Sequence, residues 1–529
     1  MTTKEMIETL RYKANNIKAK IEPEFFNEVA DRLEEYKELE EQGLLIKLPC
    51  KAKQKVYLIN HNLPTIDWRP MKCFIDEFIM DMFGCYAVLN GDEVFYSMKR
   101  FEAVNIKQFG KRVFLDKAAA EEALKKVNQM NNLKIFTKNI EPEALEQIHT
   151  LLEQPAFAEC KVRIMPDVHA GKGCVIGFTA DLGDKVIPNI VGVDIGCGML
   201  TVKLGNVDID LQRLDEVIRE YIPSGRNVHE GRKTRFSRLK ELYCYRELKD
   251  TKRLERSIGT LGGGNHFIEI DTDERGCKYL IIHTGSRNLG KQVAEYYQKL
   301  AVEIMQGKDE LYKMQAELIA DYKAQGRKKE IEKAIKELHK NFNPNPLNIP
   351  KELCYLTGEY REKYLNDMEI CQMFASVNRI EIANSIVFNM FRRSVLDYEF
   401  FETVHNYIEH DTNMVRKGSI SAKEGELLLI PINMRDGCII GYGKGNEDWN
   451  SSAPHGAGRI MSRNKAKENI SLEEFEKSME GIYTTTVNQS TIDESPMAYK
   501  PIDEIVENIK DTVDVYEIIK PIYNYKASE

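Results

Sequence analysis

Gly192-Val193-Asp194-Ile195-Gly196-Cys197-Gly198-Met199 sets a carboxylate and a thiol three residues apart across a glycine. Outside a regular helix such a turn can aim both side chains at one ion, or let one thiolate bridge two, since glycine removes the bulk between two metal donors. Taken alone, the segment also suits a buried cysteine in a tight turn. What separates the readings is company. Downstream, Asn265-His266, His283-Thr284-Gly285-Ser286-Arg287, His405-Asn406 and His455-Gly456-Ala457-Gly458-Arg459 each add one histidine, and three of the four sit beside glycines or in bare loops.

Leu261-Gly262-Gly263-Gly264-Asn265-His266-Phe267-Ile268-Glu269 passes from glycines into strand-like alternation, with His266 and Ile268 on one side and Asn265, Phe267 and Glu269 on the other. Each glycine costs about 0.5–1 kcal/mol relative to alanine in regular structure, so the run serves backbone shape or close approach. A phosphate loop and a tight turn both fit. Ile281-Ile282-His283 ends an apolar strand that leads to Arg287, placing an imidazole and a guanidinium at one sheet rim, where structural histidines and ligands both occur. His405 and His410 stand five apart, about 140° on a helix, which argues against a same-face metal pair; the segment offers one ligand rather than two, and standing alone it reads as a core histidine. His455 lies in a bare loop beside Arg459. An imidazole with a pKa near ~6.5 is available as a nucleophile toward phosphorus, with Arg459 and metals offsetting charge; a turn histidine bonded to backbone is the plain alternative. His61, His149, His229, His339 and His410 lack such frames and read as structural or surface residues. Gly285 to Gln292 has P-loop spacing, but Gln292 replaces the hydroxyl that would hold Mg²⁺, so the motif is set aside.

The chain has 529 residues, too many for one ordinary core, which predicts two or more domains. With 42% hydrophobic and 30% charged residues it reads as a globular chain, and without an apolar leader or a long apolar run a cytoplasmic location and no membrane partner are expected. Eleven cysteines without a CxxC pair favour reduced thiols over a disulfide framework. The net charge is -8, so a nucleic-acid partner would need a local basic surface.

The texture changes near residue 130. Before it, apolar spacing predicts a helix over 22–41, strands at 55–59, 85–89 and 94–96 with Asn90-Gly91 as a hairpin turn, and a stretch at 109–115 leading into a helix at 117–127. Beyond it, 162–206 and 259–284 alternate β-rich runs with glycines. Residues 291–340 read as a helical hairpin broken at Gly326, its second arm basic and ended by Asn341 to Pro346, and another helix spans about 367–393.

Met165-Pro166-Asp167-Val168-His169, the Gly192 to Gly198 segment, Gly259 to Phe267, His283 to Arg287, His405-Asn406 and His455 to Arg459 occur in the order found in the RtcB family of GTP-dependent RNA-splicing ligases, which the chain resembles from about residue 131 to its end. The resemblance implies an α+β fold: a mixed α/β catalytic domain over 131–529 with a central metal-binding cleft and a helical insertion at 291–340, preceded by a small α+β module over 1–130. It implies two Mn²⁺ ions, with Cys197 bridging them, His266 and His283 completing one site and Asp194 and His405 the other. His455 would be the nucleophile that takes GMP from GTP. Asn265, Glu269, Asn406, Gly456, Ala457, Gly458, Arg459 and Lys500 would hold the nucleotide, with Glu269 and Lys500 at the guanine, and Asp167, His169 and Arg287 in support. The implied reaction opens a 2′,3′-cyclic phosphate end to a 3′-phosphate, passes GMP onto it, and joins it to a 5′-hydroxyl end of RNA in RNA repair or tRNA splicing; an archease-like helper is a further partner of that kind of enzyme. Competing classes are a metallophosphoesterase that opens cyclic phosphates without sealing, and a non-catalytic RNA-binding regulator. From the residues alone, thiolate and imidazole would favour zinc, whereas the resemblance favours manganese. Pro431-Ile432-Asn433-Met434-Arg435-Asp436-Gly437 departs from the family's Gly-Ser-Met-Gly type loop near the guanine, which bears on nucleotide preference.

Overall fold

The computed structural model describes residues 133–527 apart from 158, 159 and 172, and the backbone of five strands nearer the N-terminus. The chain divides into two compact units, one holding Met1–His61 and Ile66–Gln129, the other Asn62–Thr65 and Met130–Glu529.

In the first unit, β1 (Lys55–Ile59), β2 (Pro70–Asp81), β3 (Gly84–Gly91), β4 (Glu102–Asn105) and β5 (Val113–Phe114) form an antiparallel sheet in the order β4-β3-β2-β1-β5. Asn90-Gly91 is not the expected hairpin turn: both residues remain in β3, paired with Phe74 and Cys73 of β2, a strand not foreseen. Cross-strand pairing outweighs the local turn preference of that dipeptide. The strand expected at 94–96 and the helices expected at 22–41 and 117–127 lie outside the described residues.

The second unit mixes helix and sheet. β6 (Leu133–Ile135), β7 (Val162–His169), β8 (Ile176–Asp181), β13 (Asn406–Ile408) and β14 (Met414–Lys417) form one sheet, in the order β13-β14-β8-β7-β6, in which only β6 and β7 run parallel. A larger, wholly antiparallel sheet has the order β12-β9-β11-β10-β19-β17-β16, from β9 (Gly198–Gly205), β10 (Phe267–Thr272), β11 (Lys278–Thr284), β12 (Glu399–Val404), β16 (Leu427–Asn433), β17 (Gly437–Gly443) and β19 (Val513–Lys526). β15 (Ser419–Ser421) pairs with β18 (Ser452–Pro454) and delivers the loop that carries His455.

Helices α1 (Arg287–Met305), α2 (Lys308–Ala324), α3 (Ile331–Asn341) and α4 (Gly358–Phe391) fill the interval between β11 and β12. The expected arms are α2 and α3, which turn at Gly326 in the left-handed region favoured by glycine (φ 75°). A second break at Gly307 separates α1, whose Val293, Ala294 and Tyr297 are buried, from that hairpin, which buries only Leu311 of α2. Helix α4 begins nine residues earlier than its pattern predicted and buries Tyr364, Met368, Cys371, Phe374, Asn378, Ile382 and Ile386 at spacings of three and four. Its Ile382 and Ile386 meet Leu200 of β9, Ile268 and Ile270 of β10 and Leu280 and Ile282 of β11, all 1% exposed or less. Each such side chain contributes about 1.5–3 kcal/mol.

Two polar residues interrupt the apolar stripe of α4. Asn378 Oδ1 accepts from the N–H groups of Gly259 and Thr260 (2.8 and 3.0 Å), and its Nδ2 donates to the carbonyl of Gly285 (3.2 Å). Arg379 donates to the carbonyls of Gly196 and Thr284 (2.8 and 2.9 Å) and to Glu402 (2.8 Å). One helix turn thereby ties together the loops on which the sequence placed its candidate donors. Arg379→Ala takes away one of the two side-chain donors to Glu402, which keeps Ser376, and leaves the carbonyls of Gly196 and Thr284 without this donor, a loss of about 2–4 kcal/mol. The expected outcome is an apparent Tm lower by about 2–5 °C in a thermal scan of the full chain; a Tm within ~1 °C of wild type would show that these bonds hold nothing in place.

Candidate metal centre and nucleotide cleft

The antiparallel register fixes where the donors meet. Thr284 and Val404 both pair with Gly198, while His283 lies between Met199 and Phe267, so β9 and β10 begin where β11 and β12 end. Cys197 just before β9, His266 just before β10, His283 near the end of β11 and His405 just after β12 therefore share one rim of the large sheet. Gly196 makes the turn into β9 with φ 72°, and a Cβ there would stand 2.8 Å from the Gln372 backbone of α4, so both conformation and space require glycine.

The donor atoms converge. Cys197 Sγ lies 3.3 Å from His283 Nε2 and 3.6 Å from His266 Nε2. His266 Nε2 is 3.0 Å from Asp194 Oδ2, and the Nε2 atoms of His283 and His405 are 3.4 Å apart. His266 Nδ1 donates to the Leu261 carbonyl (2.9 Å) and His283 Nδ1 to the Asn265 carbonyl (3.1 Å), which directs the lone pair of each Nε2 inward. Two triads result, Asp194-Cys197-His266 and Cys197-His283-His405, sharing the sulfur, with all donor atoms of each triad within 4.8 Å. All five expected residues come together, and by distance alone His266 stands beside Asp194 and His283 beside His405, while the sulfur reaches both His266 and His283, the pair expected to share one ion. Strand order is the reason, since β9 lies between β12 and β11, so that His405, Cys197 and His283 come from three neighbouring strand ends and His266 from the next strand along.

Electrostatics favour a cation here. Burial, then the neighbouring His455 and His283 charges, hold His405 well below the ordinary imidazole range, and burial with His266 does the same for His283. Burial and then Asp194 push the Cys197 thiol well up. Burial also pushes Asp194 up, yet the hydrogen bond and charge of His266, followed by Arg287, bring it net below its usual range. Two imidazoles held below their ordinary range, a carboxylate and a sulfur thus face one another within a few ångströms, a concentration of metal donors. The chemistry and spacing of this donor set fit two divalent ions bridged by sulfur.

The cleft beside this cluster is lined by His169, Asn265, Glu269, the β16–β17 hairpin residues Pro431 to Met434 and Gly437, and His455 to Arg459. His455 Nδ1 donates to Asp167 Oδ2 (2.6 Å), and the same oxygen accepts from the N–H groups of His455 and Gly456 (3.0 and 3.2 Å). Asp167 is fully buried, so this carboxylate fixes the ring and leaves Nε2 with its lone pair. The rings of His455 and His405 stand 4.8 Å apart, placing His455 next to the metal cluster. His169 Nδ1 donates to the Asp167 carbonyl (3.0 Å), and burial lowers its pKa.

Other expected residues occupy supporting places. Asn406 donates to the Asp194 carbonyl (3.2 Å) and accepts from Gly418 N–H (3.0 Å), bracing the ligand turn. Arg287 packs against Gly262, donates to Thr260 Oγ1 and the Gly225 carbonyl (both 3.2 Å), and lends its charge to Asp194. Gly262 has φ 87°, and a Cβ there would fall 1.8 Å from that guanidinium, so the glycine run makes a close approach to Arg287. Arg459 donates to the carbonyls of Asp493 and Met461 (2.6 and 3.1 Å) and to Tyr499 (3.2 Å). Lys500 is 1% exposed and donates to the carbonyls of Asn139 and Pro166 (2.8 and 2.7 Å), behind the cleft wall.

Several cleft residues had no signal in the sequence. Lys526 donates to the Asn265 carbonyl (2.9 Å) and pairs with Glu494 (2.7 Å). Burial pushes Glu494 up, but Lys526 and then Arg463 hold it far below the usual carboxylate range. Asn524 donates to Glu269 (2.8 Å), whose pKa burial raises to about 7 against the hydrogen bonds of Asp271 and Asn524. The departing 431–437 segment is the β16–β17 hairpin turn, in which Asn433 Oδ1 accepts from the N–H groups of Arg435 and Asp436 (3.0 and 2.9 Å). None of the eight described cysteines forms a disulfide. Among the described residues no helix is long and apolar enough to cross a membrane.

A family model described as tRNA-splicing ligase RtcB matches residues 147–247 and 243–527. The RNA-splicing ligase RtcB of Escherichia coli (strain K12) is 29% identical over 434 residues, covering 75% of this chain and 97% of that protein. The tRNA-splicing ligase RtcB of Nanoarchaeum equitans is 26% identical over 469 residues, covering 70% and 89% respectively. That of Aeropyrum pernix is 25% identical over 450 residues, covering 69% and 88%.

The shared sulfur gives a pattern of losses that no single-site arrangement would. With Mn²⁺ titrated into metal-stripped full-length protein, Asp194→Asn and His266→Ala should each remove one bound ion. His283→Ala and His405→Ala should remove the other, and Cys197→Ser should weaken both. Equal losses across all five variants would contradict the two triads.

Proposed function

The chain belongs to the RtcB family, and from that premise we propose that it is an RNA ligase that joins RNA 3′-phosphate or 2′,3′-cyclic phosphate ends to 5′-hydroxyl ends, with GTP as co-substrate and two Mn²⁺ ions, in RNA repair or tRNA splicing. The observation that carries this reading is the His455 imidazole, held at Nδ1 by buried Asp167 and standing one ring away from a five-residue donor cluster. A neutral histidine with Nε2 free to attack is a nucleophile for phosphorus.

In this reading Asp194, Cys197, His266, His283 and His405 would hold the two ions, with the sulfur shared; the nearest groupings would be Asp194 with His266 and His283 with His405. When bound, such ions neutralise charge that develops on phosphate oxygens and position the attacking oxygen. Softness of sulfur and imidazole would favour zinc; phosphate oxygens completing the shell favour manganese. His455 Nε2 attacks the α-phosphorus of GTP, forming an N–P bond as pyrophosphate leaves. The GMP then passes to the RNA 3′-phosphate, and the 5′-hydroxyl displaces GMP to seal the strand. Asp167 keeps the imidazole oriented and stabilises its positive charge through the first step.

The rest of the cleft is assigned accordingly. Asn265 and the bare Gly456-Ala457-Gly458 backbone face the nucleotide phosphates, and Glu269 lies where a carboxylate would accept from a purine N–H. Lys500, bonded to two carbonyls, supports the wall. The 1–130 region is assigned as an accessory module and 131–529 as the ligase domain, with α2 and α3 as an insertion. An archease-like helper fits the same reading.

Incubation with GTP labelled at the α-phosphate should leave acid-labile label on the wild-type protein with Mn²⁺ and none on His455→Ala. Asp167→Asn should slow labelling by two or more orders of magnitude, about 3 kcal/mol or more, since the amide cannot stabilise the imidazolium. Zn²⁺ in place of Mn²⁺ should support less. A wild-type protein that stays unlabelled while still opening a 2′,3′-cyclic phosphate would point instead to a phosphoesterase.

A further inference from the structure

Residues 225–256 form a lobe built from two short 3-10 turns, Ser237–Glu241 and Tyr245–Glu247, and the helix Thr251–Arg256. This segment holds eleven lysines and arginines against five acids, in a chain whose net charge is -8. Arg226, Lys233 and Arg235 are exposed and make no ion pair among the described residues, whereas Arg232 pairs with Glu255 (3.3 Å). A solvated face would account for the charges alone. It would not account for the attachment of the lobe to the glycine run beside the donor cluster, or for the tyrosine pocket that the same lobe lines.

The base of the lobe is tied to the metal centre. Gly225 N–H donates to the Gly262 carbonyl (2.8 Å), Arg287 donates to the Gly225 carbonyl (3.2 Å), and His229 Nε2 bonds the Gly259 carbonyl (3.0 Å). Arg226 therefore leaves the glycine run four residues before ligand His266. Further along, the lobe contributes Tyr243, 63% exposed, and Glu247 to a pocket shared with Tyr296, Tyr312, Tyr360, Lys299, Lys363 and Glu303, the last held by Lys308 and Tyr312. Lys363 Nζ stands 5.8 Å from the Tyr243 ring centre and 5.6 Å from that of Tyr360.

We propose that a single-stranded portion of the RNA substrate crosses this lobe, its phosphates on Arg226, Lys233 and Arg235 and a base against the tyrosines around Tyr243. The inference rests on the RNA-ligase reading and adds the strand's path. Unpaired cations follow a phosphate backbone, aromatic faces stack bases of any sequence, and interleaving of the two is how single strands are held without sequence preference. The positions lie outside the cleft, so guanylylation should not need them.

The test uses full-length protein, a fluorescent single-stranded RNA with a 3′-phosphate, and a salt series. R226E/K233E/R235E should raise Kd at least about ten-fold near 0.1 M salt and reduce the slope of log K against log salt by about 2, since each single-strand phosphate contact contributes roughly 0.7. Tyr243→Ala should raise Kd about five-fold or more with the slope unchanged. Labelling by α-labelled GTP should stay at wild-type level in both variants. Wild-type RNA affinity and slope in the triple variant would overturn the path while leaving the ligase reading intact. Lost affinity in that variant, together with a wild-type protein that takes no label, would keep the surface and remove the ligase reading instead.

Discussion

The sulfur of Cys197 sits where two groups of lone pairs meet, and most of the second unit can be understood as the means of holding it there. Five donors cannot be brought this close in a dry interior unless their carriers are rigid, because each would otherwise turn away toward a proton donor or water. Four ends of adjacent antiparallel strands supply that rigidity. Two histidines are further fixed by giving their Nδ1 protons to the Leu261 and Asn265 carbonyls. Behind them Asn378 and Arg379 of α4 bind the loops from the far side, so the apolar packing of that helix is transmitted to the ligand atoms.

His455 depends on the same logic through a different sheet. Asp167 belongs to β7 and reaches His455 from beneath, while the β15–β18 pair sets the height of the loop. One Asp167 oxygen takes three hydrogen bonds from the His455 segment, so the imidazole and the backbone of its own loop are oriented by one carboxylate. The large sheet thus carries the donor cluster, while β7 of the smaller sheet and the β15–β18 pair together hold His455 beside it. Substitutions in β7 would reach the chemistry without touching a ligand.

The sequence made some of this legible and hid the rest for physical reasons. His266, His283 and His455 draw notice because a histidine beside glycines or at the end of an apolar run is unusual, whereas His405 carries no such frame and joins Asp194 and Cys197 as a candidate only through the order of motifs that resembles the family. Which of them stand nearest one another was not legible, because it follows from which strands neighbour β9, a fact of long-range pairing. Lys526 and Glu494 were missed since they form one buried pair across 32 positions of sequence and neither carries a local motif. Asn90-Gly91 was misread for the opposite reason, a local signal overridden by pairing with β2. The basic lobe at 225–256 was hidden by the acidic balance of the whole chain.

The inner end of the cleft adds a constraint of its own. Glu269 and Asp271 are both buried on β10, and burial followed by their mutual repulsion pushes Asp271 well up while Glu269 sits near 7. Two carboxyls so placed do not both ionise easily, so the pair holds a proton near neutral pH. Lys526 tips the balance toward an ionised Glu269, the member that faces the cleft, and Asn524 fixes one of its oxygens. Raising the pH removes the shared proton at the cost of adjacent buried charge, and lowering it neutralises Glu269. In the proposed reading, a ligand that offers N–H donors to Glu269 stabilises its ionised form and therefore binds with release of a proton when the pair starts protonated, so recognition in the cleft is linked to pH through a residue pair that belongs neither to the donor cluster nor to the His455 loop.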